Sequence, residues 1–185
     1  MQIRYRGDGS VEKVTPHENG HRHGMETWYF KDGTTFYNKP FVNGKAHGME
    51  IQYHENGSKR MESQYVDGKR IGMEIMYYED GSKSSETPYV DGNANGTGIK
   101  YRQDGSKERE TVYVKRKKQS EVWYREDGSK DEETPYVEGK RHGTKVEYLD
   151  NKWRVVAKWR ETPYVDGNAN GTEIKYLGKG SLMNL

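Results

Sequence analysis

The sequence predicts an all-β protein: an elongated, open, single-layer antiparallel meander of about seven β-hairpin repeats, each about 24 residues long. Three observations predict this class. Asp-Gly or Asn-Gly pairs recur along the chain, apolar and polar residues alternate between them, and no segment places apolar residues at helical spacing over the length of a helix. The turn glycines repeat at intervals of 24, 24, 24, 24 and 23 residues: Gly9, Gly33, Gly57, Gly81, Gly105 and Gly128.

A second glycine pattern, Gly-x-x-x-Gly, predicts the opposite turn of each repeat, as at Gly44 and Gly48. One copy is eroded, because Lys115-Arg116-Lys117-Lys118 stands where the glycines are expected. We expect Val114–Gln119 to be the most distorted or mobile link in the ribbon. About four residues are inserted between Asp150 and Glu161. The chain is therefore interpreted as a single array over 1–185, with regular repeats over about 17–148, the eroded copy near 114–119, a longer hairpin at 149–161 and a terminal repeat at 162–185.

The composition favours a thin, tyrosine-rich sheet over a thick apolar core. Hydrophobic residues make up 30% of the chain and charged residues 32%, yet 15 residues are Tyr, which a disordered chain would lack. The net charge of +2 provides no overall attraction to nucleic acid or to an anionic membrane. Without Cys there is no disulfide or thiol chemistry. No apolar stretch resembles a signal peptide or a membrane span, so a cytoplasmic location is expected.

Side-chain parity predicts which residues share a face. A three-residue loop at Glu55-Asn56-Gly57, with Gly57 left-handed, would place Tyr53 and Tyr65 on the same face of the sheet. Glu50, Gln52, Arg60, Glu62 and Gln64 would then lie on the other face. Two aromatic rows follow from this interpretation. The first row contains Tyr29, Tyr53, Tyr77, Tyr101, Tyr124, Tyr148 and Tyr176, and the second contains Phe41, Tyr65, Tyr89, Tyr113, Tyr136 and Tyr164.

The segment Tyr65–Ser82 reads Tyr-Val-Asp-Gly-Lys-Arg-Ile-Gly-Met-Glu-Ile-Met-Tyr-Tyr-Glu-Asp-Gly-Ser, and its pattern recurs from about Gly20 to Gly180. This pattern resembles the variant MORN repeat. The resemblance implies an elongated β-ribbon that acts in protein contact, self-association or, for some members, lipid association. Bacterial proteins with this repeat are often described as antitoxin-like, which implies neutralisation of a partner protein by binding.

Metal and catalytic sites are not expected. His23 and His47 occupy the same slot in successive repeats, which puts them ~10 Å apart, too far to share a metal ion. The repeated carboxylates lie in equivalent environments on an open sheet, which offers no water-excluded cleft for paired acid and base catalysis. We therefore expect neither an enzyme nor a cofactor. These carboxylates should instead pair with Lys and Arg on neighbouring strands: Glu62, Glu86, Glu110, Glu133 and Glu161.

The aromatic residues are the best candidates for binding a partner, because Tyr offers a large contact area at low entropic cost. Trp28 and Trp123 occupy one slot of the repeat, whereas Trp153 and Trp159 lie in the insertion. The insertion is interpreted either as a cap on the array or as a contact site for the partner. The candidate set is Tyr29, Tyr53, Tyr77, Tyr101, Tyr124, Tyr148, Tyr65, Tyr89, Tyr113, Tyr136, Tyr164, Trp28, Trp123, Trp153 and Trp159.

Three functions remain open from the sequence. The first is a non-enzymatic protein-binding module with antitoxin-like or immunity-like neutralisation of a partner. The second is a scaffold that self-associates through the open ends of the sheet. The third is a lipid or membrane-surface adaptor that uses the basic run Lys115-Arg116-Lys117-Lys118, although this run also fits a solvated turn. Nucleic acid is not an expected partner.

Overall fold

A computed structural model describes residues 1–149 and 158–176 and confirms the all-β antiparallel meander. These residues contain no helix, and so none that is long and apolar enough to cross a membrane. The chain forms two compact units, Met1–Ala94 (unit 1) and Asn95–Leu185 (unit 2). Within each unit, strands that follow one another along the chain pair antiparallel, because short turns can join only neighbouring strands.

Unit 1 alternates long strands with short two-residue strands beside the turns. Its strands are β1 (Gln2–Tyr5), β2 (Val11–Thr15), β3 (His17–Glu18), β4 (His21–Arg22), β5 (Gly24–Tyr29), β6 (Thr35–Val42), β7 (Lys45–Ala46), β8 (Gly48–Tyr53), β9 (Lys59–Val66), β10 (Lys69–Tyr77), β11 (Lys83–Val90) and β12 (Asn93–Ala94). The short strands β3 and β4 pair with each other.

Unit 2 follows the same plan. Its strands within the described residues are β13 (Gly96–Tyr101), β14 (Lys107–Val114), β15 (Lys117–Tyr124), β16 (Lys130–Val137), β17 (Lys140–Arg141), β18 (Gly143–Tyr148), β19 (Lys158–Val165), β20 (Asn168–Ala169) and β21 (Ile174–Lys175).

Two kinds of turn alternate along the chain. At one edge His54 N–H donates to the Ser58 carbonyl and Gly57 has φ +83°, so the predicted three-residue loop with a left-handed glycine is confirmed. At the other edge two-residue turns such as Asn43-Gly44 have positive φ at both positions, as type I′ hairpin turns require.

The predicted parity is wrong, because a one-residue bulge follows each three-residue loop. Gln52 pairs with Met61 and Tyr53 pairs with Lys59, so Arg60 has no partner in the β8–β9 register. The extra residue shifts the parity by one, and Tyr53 and Tyr65 therefore lie on opposite faces. The same shift recurs in the other hairpins, where it leaves out Glu12, Phe36, Ser84, Glu108, Asp131 and Trp159.

The two aromatic rows consequently occupy different faces in each unit. The second row shares a face with a central row of buried polar residues, which we call the polar spine, and we name this the spine face. The first row shares the opposite face with exposed valines such as Val66, and we name this the valine face. Glu50 and Gln52 lie on the spine face with Tyr65, whereas Glu62 and Gln64 lie on the valine face, which corrects the predicted sorting.

The eroded copy keeps a regular hairpin. Lys115 and Arg116 have φ +46° and +70° and form the two-residue turn between Val114 and Lys117, which are paired. Strand β15 then runs without a break, and its register with β14 shifts at one residue, Gln119. The expected distortion is therefore confined to this bulge and to two non-glycine residues in the left-handed region.

Candidate functional site

The polar spine is a row of charged and small residues along the middle of the spine face. Within the described part of the chain, all the buried polar residues lie in it. The larger side chains on either side of the row cover it, so Ser63 is fully buried without a second layer above it. The spine comprises Thr15, Glu26, Lys39, Glu50, Ser63, Glu74 and Thr87 in unit 1, and Gly98, Thr111, Glu121, Thr134, Lys145, Thr162 and Glu173 in unit 2.

Each buried carboxylate of the spine has a cation beside it. In unit 1, Glu26 lies 3.0 Å from Lys13 Nζ and accepts hydrogen bonds from Thr15 and Trp28. Burial acts to raise the pKa of Glu26, but these hydrogen bonds outweigh it and hold the pKa below its ordinary value. A buried charge is tolerated only when it is paired and hydrogen-bonded, so these contacts explain how carboxylates can lie inside a thin sheet.

Glu74 behaves differently from the other spine carboxylates. Arg70 Nη1 lies 2.5 Å from Glu74 Oε2 and favours its ionised form. Burial is nevertheless the stronger effect, and the charge of Glu50 adds to it, so the pKa of Glu74 is raised. A protein site with a raised carboxyl pKa can serve acid–base chemistry, but here the guanidinium and the Tyr89 hydroxyl already contact the group.

Basic side chains cover the rings of the second aromatic row. Lys39 Nζ lies 3.9 Å from the ring centroid of Tyr65, and the Arg22 guanidinium lies 4.0 Å from that of Phe41. Both rings are buried, at 8% and 6% exposure. The cation–π contacts stabilise the unit itself. The structure therefore gives Tyr65, although a predicted partner-binding residue, little surface for a partner. Similar contacts cover Tyr89, Tyr136 and Tyr164, and Tyr113 lies in the same row.

The first aromatic row forms a hydrogen-bonded ladder with glutamates on the valine face. The Tyr77 hydroxyl donates to Glu62 at 2.6 Å, and the Tyr124 hydroxyl donates to Glu110 at 2.8 Å. Burial and the nearby carboxylate raise the pKa of Tyr77 to about 12. The same contact joins Tyr148 to Glu133 and Tyr176 to Glu161, and the row also contains Tyr29, Tyr53 and Tyr101.

The cation partners of this carboxylate ladder differ from those expected. Lys59 Nζ lies 3.0 Å from Glu62, three residues further along the same strand, rather than on a neighbouring strand. Lys107 and Glu110 repeat the arrangement at 2.7 Å. The neighbouring strand supplies a tyrosine hydroxyl instead, so four of the carboxylates link two strands: Glu62, Glu110, Glu133 and Glu161.

Trp28 and Trp123 lie on the spine face in one repeat slot, and each ring carries a cation. Lys13 Nζ is 4.7 Å from the Trp28 ring centroid, and the Arg109 guanidinium is 4.8 Å from that of Trp123. Trp159 occupies the bulge of β19 and is 38% exposed. Trp153 lies outside the described residues, as does the part of the insertion that would distinguish a cap from a contact site.

The basic run is partly neutralised. Lys117 forms an ion pair with Glu138, and Lys118 Nζ lies 3.0 Å from Glu121 and 4.8 Å from the Tyr136 ring centroid. Lys115 and Arg116 remain at the exposed tip of the turn. Half of the expected cationic patch therefore serves contacts within unit 2.

No group of His, Cys, Asp and Glu that could hold a metal ion occurs among the residues described. His47 instead faces Asp67 in the neighbouring turn, with 3.7 Å between Nδ1 and Oδ1. His142 and Asp166 repeat this contact at 3.9 Å. The arrangement is that of polar side chains at the surface of turns.

The valine face of unit 1 carries an exposed apolar stripe. Met25, Met49 and Met73 occupy one slot in three successive repeats and are 46%, 43% and 42% exposed. Exposed valines lie beside them in the next row, and Lys45 and Lys69 pair with two of these valines. We call this surface the methionine stripe: Met25, Val42, Met49, Val66, Met73 and Val90. In unit 2 the methionine slot holds Thr97, Ser120, Thr144 and Thr172.

Sequence reasoning missed both the polar spine and the methionine stripe. The signal for the spine was present, since Glu26, Glu50 and Glu74 recur at 24-residue spacing. Recognising it required the face assignment, which depends on a bulge that no residue type marks.

Comparisons with known proteins identify no family. No family model matches the chain, and no curated protein matches it. Among solved structures, the chain is similar to a crystal structure of a TarM mutant from S. aureus, at 12% identity and a TM-score of 0.37. The similarity covers 58% of this chain and only 21% of the TarM chain, and it supports no conclusion about function.

Proposed function

We propose that this chain is a non-enzymatic protein-binding module whose contact surface is the methionine stripe. The observation that carries the proposal is the exposure of three methionines and three valines on one face of unit 1. Exposed apolar side chains that gather on one face mark interaction sites, and methionine adapts its shape to a partner. The second aromatic row, by contrast, is covered by the chain's own cations.

The partner fitted by this surface is a protein with an apolar segment flanked by carboxylates. Lys45 and Lys69 alternate with Val42 and Val66 along one border of the stripe, where Lys69 also forms an exposed ion pair with Asp91 at 3.3 Å. Carboxylates on the partner would complement these cations, while its apolar side chains cover the methionines. An antitoxin-like role is one form of such binding.

The experiment compares wild type with the triple variant Met25→Thr, Met49→Thr and Met73→Thr, which gives unit 1 the threonine found in this slot of unit 2. The matched control is Val114→Thr with Val137→Thr, two exposed valines of unit 2. A protein captured from cells of the source organism is then purified, and its affinity is measured by calorimetry. We expect the triple variant to lose at least ~2 kcal/mol of binding free energy and the control to lose little.

Equal binding by the triple variant and the wild type would contradict the proposal. Light scattering tests self-association, because a dimer that the triple variant abolishes would assign the stripe to a second copy of the chain instead. For the antitoxin-like form, the captured protein should inhibit growth when expressed alone and not when co-expressed with wild type. The triple variant should fail to protect.

A further inference from the structure

Two depressions on the spine face of unit 2 share one lining residue, and each contains a tryptophan; we call the two together the groove. The first has a volume of about 570 Å³ and is lined by Trp123, Glu108 and Arg125, among others. The second, of about 180 Å³, contains Trp159. Asp131 is the lining residue that the two depressions share.

The strand register fixes the separation of the two tryptophans. Trp123 pairs with Glu132, Glu132 with Glu147, and Glu147 with Arg160, which follows the bulged Trp159. These residues form one row across four neighbouring strands. With strands ~4.8 Å apart, the row spans ~14 Å between the tryptophans. The two aromatic surfaces of the groove are thus separated by about three strand spacings.

Ion pairs neutralise most of the charge of the groove, and the lining residues Arg102, Glu126 and Asp127 lie outside these pairs. Glu147, for example, accepts a hydrogen bond of 2.7 Å from Arg160 Nη2. This hydrogen bond holds the pKa of Glu147 below its ordinary value. A ligand with a net charge gains little here, whereas a neutral ligand rich in hydroxyl groups can both donate and accept hydrogen bonds. Further ion pairs are Lys100–Glu108 at 2.8 Å, Arg125–Asp131 at 2.6 Å, Lys145–Glu132 at 2.7 Å and Lys145–Glu147 at 3.1 Å.

We infer that this groove binds a short, neutral, linear oligosaccharide. The apolar C–H face of a sugar ring can stack on the part of Trp123 that lines the first depression, away from Arg109, and on Trp159, 38% exposed, in the second. The polar side chains between them can hydrogen-bond the hydroxyl groups. An extended peptide fits less well, because strands β15, β16, β18 and β19 are already paired on both sides and offer no free edge for its backbone.

The test titrates the full chain with maltotriose, cellotriose and tri-N-acetylchitotriose, using calorimetry. We expect saturable binding of at least one of them. Trp123→Ala and Trp159→Ala should each weaken that binding at least about tenfold. Trp28→Ala is the matched control, because Trp28 occupies the same repeat slot as Trp123 but lies in unit 1; it should bind like wild type.

Thermal melting checks that the variants fold. Trp123→Ala removes the contact with Arg109; if that loss destabilises unit 2, Trp159→Ala still tests the inference. Absence of saturable binding by all three sugars at about 10 mM would overturn the inference. Unchanged affinity in both tryptophan variants would overturn it too, as would displacement of the sugar by an unstructured peptide. The inference does not depend on the proposed function, since the methionine variants of unit 1 should bind the sugar normally.

Discussion

At the scale of single residues, the polar spine shows how a thin sheet buries charge. Glu121 is 6% exposed, yet Lys118 and Arg109 lie 3.0 and 3.1 Å from its carboxylate. The same cations rest on the Tyr136 and Trp123 rings. Each cation therefore satisfies a carboxylate and covers an aromatic ring, so that charged side chains supply part of the packing that apolar residues provide in thicker folds.

Ser63 provides a test of what it costs to bury a polar group in the spine. Its side chain is fully buried, and its hydroxyl has no hydrogen-bond partner among the residues described. Burying an unsatisfied polar group costs free energy, so Ser63→Ala should stabilise the protein by about 1 kcal/mol. The measurement is the free energy of unfolding in urea. A loss of stability would show that the hydroxyl is satisfied in solution.

The two kinds of spine carboxylate predict opposite pH dependences. The cations beside Glu121 outweigh burial and lower its pKa from 4.5, so its stabilising effect is present above pH 4.5 and is lost as the pH falls. Burial raises the pKa of Glu74, so its ionisation opposes folding as the pH rises.

These directions are tested by measuring the melting temperatures of wild type and of two variants between pH 3 and pH 7. Glu121→Gln should be most destabilised relative to wild type at pH 7, and the difference should shrink below pH 4.5. The melting temperature of Glu74→Gln should rise relative to that of wild type as the pH rises above 4.5. Parallel curves for the two variants would contradict the assigned directions.

Arg116 tests backbone strain at the eroded turn. Its φ of +70° is a conformation that costs ~1–2 kcal/mol for a residue with a Cβ atom. Arg116→Gly should therefore stabilise the protein by about 1 kcal/mol in thermal or urea unfolding. Arg116→Ala is the control: it removes the same side chain but keeps the Cβ atom and should show no such gain. If both variants behave alike, the strain is relieved elsewhere.

At the scale of the element, a hairpin is held by a proline that packs against a glycine of the next strand. A Cβ atom on Gly48 would lie 2.7 Å from Pro40 Cγ, and Gly48 has φ +116°. Pro40 lies in β6 at the point where the pairing of β6 changes from β8 to β7 and the register shifts by two residues. A backbone N–H is not needed at this irregular position, so proline is tolerated there.

Gly48→Ala should consequently destabilise the protein by more than ~2 kcal/mol, because both the contact and the backbone angle are violated. Gly72→Ala is the matched control: Gly72 occupies the same slot, has φ +67° and has no atom within 4 Å of an added Cβ. It should cost only about 1 kcal/mol. Urea unfolding of the two variants provides the comparison. Equal losses would mean that the backbone angle alone matters.

The hairpin is also where sequence reasoning succeeded and failed. Glycine spacing predicted the repeats, and the three-residue loop at Glu55–Gly57 is as predicted, because both depend on residue types that tight turns require. The faces were assigned wrongly, because the bulge slot holds residues as different as Phe36, Arg60 and Trp159. The two aromatic rows could be predicted from the sequence. Their division between two faces could not, and for that reason the methionine stripe was missed.

At the scale of the whole molecule, each hairpin contacts mainly the hairpins next to it along the chain, and stability should be correspondingly local. Gly143→Ala in unit 2 introduces a contact of 2.9 Å with Pro135 Cγ and should open the hairpins around it. We expect hydrogen exchange to show lost protection in β16–β18, with β5–β9 of unit 1 unchanged. Uniform loss of protection throughout the chain would contradict a local distribution of stability.

The recurring bulge has a consequence for how such a chain can change length over generations. Since each hairpin carries the same one-residue offset, gaining or losing whole hairpins leaves every remaining side chain facing the side it faced before. The identical nonapeptides Tyr89–Thr97 and Tyr164–Thr172 fit such copying, and their tyrosines pair with equivalent alanines, Ala94 and Ala169. A single-residue deletion at a bulge would instead exchange the two faces of the strand that contains it. The fold should therefore tolerate unequal crossing-over, which adds or removes whole repeats, far better than the deletion of one codon at a bulge.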